Sequence, residues 1–410
     1  MTVTANPATA RGLRPSAAVG AVGYAFAATM TGTTLPTPLY PLYQHELGFD
    51  TLLTTVVYAV YAVGVLATLL LLGRASDVVG RRPLLLAAIA VSAVSGLVFL
   101  AGPSLPVLFA GRVLSGFSAG LVTAVATVAM AELAGPAHRA KATLVATAVN
   151  MLGLGCGPLL AGLLADHAPS PLHLPFAVHL VLLVPAAVLV WRIPETVTPG
   201  PLRAALRPQR PAVPAVVRAA FVPSAIAVFA AFSVFGLLTA VAPAFLTTVL
   251  HQPAHTLAGL LVFAMFAGST LSQLASYRWR AGSALPSGCL VLVLGLAGLA
   301  TAVGTESLPV LAVSAFVIGA GQGLSFRAGM AAITEHCPAD RRAETVSAFT
   351  VIAYIGISVP VILVGAASAL FGLPAAAMTF TGVTAALALG ALFAIRRHAK
   401  RPGSAASLST

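Results

Sequence analysis

Residues 51–101 read TLLTTVVYAVYAVGVLATLLLL, then GRASDVVGRR, then PLLLAAIAVSAVSGLVFLA. Two apolar runs are thus joined by ten residues holding three arginines, one aspartate and two glycines. Each run is close to the roughly 20 residues that cross a hydrocarbon core as a helix. The join is then a short polar turn between two antiparallel spanning helices, with Gly73 and Gly80 allowing the tight bend. Working outward, the same alternation fills the chain. Apolar runs fall near 17–40, 51–72, 84–101, 105–131, 142–164, 173–191, 221–249, 257–276, 284–303, 308–332, 345–370 and 373–395. Short breaks rich in Gly, Pro, Asp or Arg separate them. The 410 residues are 59% hydrophobic and only 8% charged. A soluble surface needs near a quarter charged residues, so most of this one faces lipid. The predicted fold class is all-α integral membrane, with twelve transmembrane helices in two six-helix bundles.

The charge pattern orients the spans. All 22 lysines and arginines except Arg112 and Arg327 fall in breaks or tails on one side. The positive-inside rule makes that side cytoplasmic. A multi-pass protein of the cell (inner) membrane with both termini inside is expected. The net charge of +12 is spread in small clusters, which argues against a nucleic-acid surface. Arg11 and Arg14 precede a run too long for a signal peptide, so it reads as an uncleaved first helix. Cys156, Cys289 and Cys337 form no metal-spaced or disulfide pattern.

One break is longer. Residues 192–220 hold Arg192, Arg203, Arg207, Arg210, Arg218 and several prolines. This divides the chain into a first bundle over 1–192, a linker over 193–220 and a second bundle over 221–410. A shift of 203 residues places Gly116 on Gly319, Gly120 on Gly323, Glu132 on Glu335 and Arg139 on Arg342. It also places Gly153 on Gly356 and Gly162 on Gly365. Two parallel repeats of six helices are one plan for secondary transporters.

The turn Gly73-Arg74-Ala75-Ser76-Asp77-Val78-Val79-Gly80-Arg81-Arg82 resembles the signature loop of the major facilitator superfamily, G-x-x-x-D-x-x-G-R-R/K, between helices 2 and 3. The resemblance implies a cytoplasmic gate latch made of Gly73, Asp77, Gly80, Arg81, Arg82 and Glu132. In it, Asp77 faces the start of helix 11 and Arg81 pairs with Glu132 at the inner end of helix 4. Val78 replaces a frequent arginine of that family. The equivalent loop of the second half, Tyr277-Arg278-Trp279-Arg280, is badly degraded. Arg112-Val-Leu-Ser-Gly116 resembles the family's helix 4 motif, R-x-x-x-G, whose arginine is linked to proton transfer. Independently, a charge inside a membrane helix is costly and is a functional candidate by default. Its bland alternative is an arginine that snorkels to the outer surface.

In the fifth run, Gly153, Gly157, Pro158 and Gly162 sit in Gly-Leu-Gly-Cys-Gly-Pro-Leu-Leu-Ala-Gly. Small residues at spacing four let helices approach, and proline kinks a helix. The segment resembles the helix 5 motif of the drug/proton antiporter branch, with Ala161 replacing one glycine. Asn150, Gln322, Tyr58, Tyr61 and Arg327 are candidates for the substrate cavity; each could instead serve helix packing. Tyr24, Phe232 and Phe235 belong with the aromatics that could line it, and His179 could titrate near neutrality. Thr34-Leu35-Pro36-Thr37-Pro38 should break the outer part of the first helix.

No Walker loop and no nucleophile–base set occurs, which argues against ATP drive and catalysis. None of the ten acids sits at the centre of a predicted helix, an awkward pattern for a proton antiporter. Arg112, Glu132 and Asp166 are the candidates for proton coupling. The function expected is secondary active export of a small apolar or amphipathic compound, coupled to protons, by alternating access. The alternatives are a facilitator or importer of a small metabolite such as a sugar, and a receptor on the same fold. The implied partners are a small-molecule substrate, protons and the lipid bilayer, for a monomer without cofactor or metal.

Overall fold

Apolar runs of this length become helices because lipid offers the backbone no hydrogen-bond partner. The computed structural model describes residues 13–73, 75–198, 200 and 210–399. Arg11, Arg74, Arg203, Arg207 and Lys400 lie outside the described residues, as does part of the 193–220 linker. Among the described residues, twelve long helices follow one another. They are α1 (Pro15–Thr34), α2 (Thr51–Leu72), α3 (Arg81–Leu100), α4 (Leu105–Ala134), α5 (Arg139–His167) and α6 (Leu174–Trp191), then α7 (Arg218–Thr248), α8 (His255–Ala275), α9 (Ala281–Thr305), α10 (Leu308–Glu335), α11 (Arg342–Phe371) and α12 (Leu373–Ala399). No strand occurs among the described residues. All but α1 are long and apolar enough to cross a membrane. Helix α1 carries four threonines and is packed among α4, α5 and α6.

The apolar run expected over 17–40 is not one helix. Neither Pro36 nor Pro38 can donate a backbone hydrogen bond, and α1 stops at Thr34. A 3₁₀ turn over Thr37–Leu39 and a second helix over Tyr40–Leu47 follow, closed by Gly48 at φ 69°. Elsewhere the ends carry their own signals. Asp50 caps α2 by accepting from Leu53 N at 2.9 Å.

The pairing of helices repeats with an offset of six. In the first half α1 packs on α4, α5 and α6, α2 on α4, and α3 on α4 and α6. In the second half α7 packs on α10, α11 and α12, α8 on α10, and α9 on α10 and α12. Two seams join the halves: α5 lies along α8, and α2 along α11. The same offset exchanges these seams, as two related bundles require.

One end of the molecule carries the Gly73–Arg82 turn and the other clustered arginines; it is called the basic end here. At the opposite end a single apolar cluster runs across both halves. It contains Leu35, Leu39 and Tyr40 from the broken end of α1, Tyr58 from α2, Val241 from α7 and Val361 from α11. Towards the basic end the cores are separate, one around Met130 and Ile193 and another around Phe221 and Phe349. The halves are therefore closed on each other at the opposite end and parted at the basic end.

Candidate functional site

The basic-end turn is assembled around Arg81. Ser76–Val79 forms one helical turn and Gly80, at φ 111°, redirects the chain into α3. That brings Arg81 back onto Asp77, with Nη1 2.7 Å from Oδ1. The other edge of the guanidinium meets Glu132 at the end of α4. Nη2 donates to Oε1 at 2.8 Å and Nε to Oε2 at 3.2 Å. This two-pronged pairing of a fork with a carboxylate fixes geometry as well as charge. Nη1 also bonds Ser76 Oγ. Arg81 is buried, while the Asp77 side chain is 60% exposed. Asp77 makes no hydrogen bond or ion pair with α11 among the described residues. The resemblance implied that it faces the start of helix 11, but here the halves stand apart at this end.

Glu195, four residues beyond α6, completes the cluster. Its Oε1 accepts from Arg81 N at 2.9 Å and its Oε2 from Arg82 N at 3.0 Å. These are the first amides of α3, where the helix dipole favours an anion. Oε1 also accepts from Thr196 N and Val197 N, and Thr196 Oγ1 donates to Glu132 Oε2 at 2.6 Å. A Cβ at position 80 would stand 2.6 Å from Glu195 Oε2. Glycine is needed there both for its φ and for the carboxylate's approach. Arg82 lies 6.0 Å over the Trp191 ring. No motif of the sequence marks Glu195. Two of its partners, the Arg81 and Arg82 amides, lie more than a hundred residues away.

Arg112 does not snorkel. It is 1% exposed. Nη1 donates to Thr33 O at 2.6 Å and Nη2 to Tyr58 O at 3.1 Å. The first carbonyl is available because α1 ends one residue later, and the last carbonyls of a helix lack intrahelical donors. The rings of Tyr61 and Tyr58 lie 4.9 Å and 5.5 Å from the guanidinium carbon. Four residues on, Gly116 packs against the Tyr61 carbonyl. The R-x-x-x-G spacing thus lays one face of α4 on one face of α2. No carboxylate reaches Arg112 among the described residues, and its Nε is buried without a hydrogen-bond partner there.

Helix α5 has two glycine faces. Gly153 and Gly157 admit the backbone of α1, at Ala27 and Thr31 respectively. Gly155 and Gly162 admit α8, at Phe266 and His255, and Gly259 of α8 admits Pro158. Pro158 has no N–H to give the carbonyl four residues back, at Leu154. Thr34 Oγ1 donates to that carbonyl at 2.6 Å. Thr31 Oγ1 donates to Gly153 O at 3.2 Å. Asp166, in the last turn of α5, bonds the start of α8.

The remaining candidates are not gathered at one point. Tyr61 approaches Tyr354 of α11, with ring centroids 6.3 Å apart, and Tyr58 packs in one cluster with Leu237 and Val241 of α7. These tyrosines stand where the halves meet. Phe232 contacts Phe235 and Phe326 inside the second half. Gln322 is buried and accepts from Ser269 Oγ at 2.7 Å, within an α8–α10 chain that includes Gln273. Arg327 Nε donates to Ser276 Oγ at 3.0 Å, near the basic end, and its Nη2 is buried without a partner among the described residues. Asn150 Oδ1 is likewise buried and unpartnered there. Tyr24 donates to Leu182 O at 3.0 Å. His179 Nε2 lies 3.1 Å from Ser92 Oγ, against Gly32.

Comparison with known proteins bears on this arrangement. The family profile described as Major Facilitator Superfamily matches residues 21–359. The tetracycline resistance protein of class G from Vibrio anguillarum is 39% identical over 102 residues, 24% of this chain and 26% of that protein. The class H protein from Pasteurella multocida is 32% identical over 148 residues, 35% of this chain and 36% of that protein. Major facilitator superfamily domain-containing protein 10 from Bos taurus is 35% identical over 130 residues, 32% of this chain and 27% of that protein. The matched stretch thus covers little more than a third, at most, of these relatives. Among solved structures, the human organic anion transporter MFSD10 (TETRAN) aligns with a TM-score of 0.64 at 18% identity. The alignment covers 93% of this chain and all of that one, a likeness of fold.

Proposed function

The chain belongs to the Major Facilitator Superfamily, and from that premise we propose that it exports a small apolar or amphipathic compound, coupled to protons, by alternating access. The observation that carries this reading is the construction of α5. Its glycines and Pro158 place the first half's backbone directly on α8 of the second half, so that the two bundles can pivot on a close-packed seam. Relatives named as tetracycline resistance proteins support export. The basic-end cluster of Asp77, Arg81, Glu132 and Glu195 is then half of a latch, whose other half is the start of α11. In this reading the basic end is cytoplasmic, and the cluster closes when the opposite end opens. Arg112, Glu132 and Asp166 carry the proton coupling, and Asn150, Gln322, Tyr58, Tyr61 and Arg327 contribute to substrate binding.

Counterflow in proteoliposomes tests it, with labelled hydrophobic cations, organic anions and sugars, with and without an imposed pH gradient. Uptake of an apolar cation that quickens with the gradient is the expected result. Gradient-independent exchange of a sugar would replace export by a facilitator. Asp77→Asn should slow turnover while leaving insertion and melting unchanged; wild-type turnover in that variant would remove the latch from the reading.

A second reading has its own observation. Arg112 is buried without a carboxylate partner among the described residues, and a buried unpaired charge is costly. A guest carrying a negative charge would compensate it. The fold likeness to a protein titled an organic anion transporter agrees. Counterflow of labelled organic anions, lost in Arg112→Gln, would decide for it.

A further inference from the structure

Helix α8 begins without a cap of its own. Ala254, at its N-cap position, has no side chain that can accept, yet the first amides of a helix need partners. They are supplied by the other half. Asp166 of α5 accepts from His255 N at 3.0 Å through Oδ1 and from Thr256 N at 2.7 Å through Oδ2. His255 Nδ1 lies 2.8 Å from the same Oδ1. Thr256 Oγ1 donates to the Gly162 carbonyl at 3.2 Å, one turn back along α5. Four polar contacts therefore bind the halves together at the end where they are closed.

The internal repeat does not demand this arrangement. Helix α2 is the counterpart of α8, and its cap is local: Asp50, adjacent in sequence, accepts from Leu53 N. On the matching seam Gly365 of α11 meets Thr55 of α2, and no acid crosses between the halves there among the described residues. The cross-half cap is particular to α5 and α8.

We propose that Asp166 and His255 form the latch that holds the opposite end shut, and that a proton on His255 strengthens it. The inference rests on the alternating-access reading above. A carboxylate only accepts hydrogen bonds, so Nδ1 carries the hydrogen that faces it. Protonating the imidazole makes that bond charge-assisted, and such bonds are the strong ones. An imidazole changes charge between about pH 5 and pH 8. The charged imidazole holds the carboxylate more strongly than the neutral one, so closure at this end is reinforced as pH falls and weakened as pH rises. Opening the end strips the amides of α8 of their cap as well, which makes the contacts break together. The His255 and Asp166 side chains are 18% and 19% exposed, enough for the pair to exchange protons with the solution on its own side. The other titratable groups near these elements at this end are His167, His173, His251 and Glu306, with Tyr40, Tyr43, His45 and Glu46 of the short helix beyond the break in α1. His167 Nδ1 lies 3.1 Å from Leu163 O of its own helix. None of these groups, and no lysine or arginine, bonds Asp166 or His255 among the described residues.

The test is a distance measurement on the full chain reconstituted in lipid. Spin labels at Ser170→Cys and Gln252→Cys, both exposed and on opposite sides of the seam, report its closure in a Cys156→Ser background. Lowering the pH from about 8 to about 5 should shift the wild-type distribution towards short distances. His255→Asn should abolish that shift. Asp166→Asn should move the distribution to long distances at every pH. A wild-type distribution that ignores pH overturns the proposal, as does a His255→Asn protein that keeps the wild-type shift. Should Asp166→Asn fail to fold, His255→Asn decides alone. The readout needs no substrate. A pH-dependent latch in a protein inert to counterflow would leave the proposal standing and remove the export reading.

Discussion

Pro158 creates a defect that Thr34 repairs. The carbonyl of Leu154 has lost its intrahelical donor, and lipid or packed protein offers no water in exchange. The hydroxyl of Thr34 on α1 fills the place at 2.6 Å. Thr34→Val keeps the shape and deletes the donor. The expected cost is about 1–3 kcal/mol, the penalty of an unsatisfied polar group, read as a lower melting temperature in detergent. Thr34→Ser, which keeps the hydroxyl, should melt close to wild type. Equal melting of the valine and serine variants would show that the bond contributes nothing. Arg112 rests on the same logic with a charge added. Its guanidinium reaches two carbonyls on different helices; a lysine offers a point charge that cannot span both in that geometry. Arg112→Lys should lose about 1.5–3 kcal/mol, the worth of a hydrogen bond to a charged group. Melting that matches wild type would contradict this account of Arg112.

At the scale of elements, the glycines of α5 and α8 separate into those that matter and those that do not. A Cβ on Gly259 would strike the Pro158 carbonyl, whereas one on Gly20 of α1 would meet nothing within 4 Å. Gly259→Ala should therefore destabilise by about 1–3 kcal/mol through overpacking. Gly20→Ala should be neutral or slightly stabilising, since glycine in a helix interior costs about 0.5–1 kcal/mol relative to alanine. Thermal melting of the two variants side by side checks the contrast; equal shifts would mean the α5–α8 seam yields freely. These elements also show what the sequence could disclose. The break after Thr34 was legible because Pro36 and Pro38 act on their own backbone. The spans were legible because lipid imposes one length and one polarity on every helix. The Arg81–Glu132 pair was legible only through the resemblance of its loop. Glu195 and His255 were not, because each meets its partner across about a hundred residues through a backbone amide or an unmarked carboxylate. Proximity in the fold, rather than any pattern in the chain, makes them a site.

At the scale of the whole molecule, the two seams decide how far the halves can move. Both α5–α8 and α2–α11 are close-packed in their middle and opposite-end portions, and among the described residues Asp77 makes no hydrogen bond or ion pair with α11 at the basic end. Exposing the other side of the molecule requires the opposite ends of both seams to part. The α2–α11 seam offers a direct check, because a Cβ at position 365 would stand 3.1 Å from Thr55 Cβ. Disulfides prefer Cβ atoms roughly 3.5–4.5 Å apart, a difference that a small helix shift supplies. Thr55→Cys with Gly365→Cys should thus cross-link on mild oxidation in a Cys156→Ser background, where the two remaining cysteines are buried. If the halves rock, the oxidised protein is held with its opposite end closed: counterflow stops and returns when the bond is reduced. A guest could still enter from the basic end, so binding without turnover is the expected signature of the locked state. Undiminished counterflow in the fully oxidised protein would mean that the guest crosses without separation of α2 from α11, and a rocking motion about these seams would have to be abandoned.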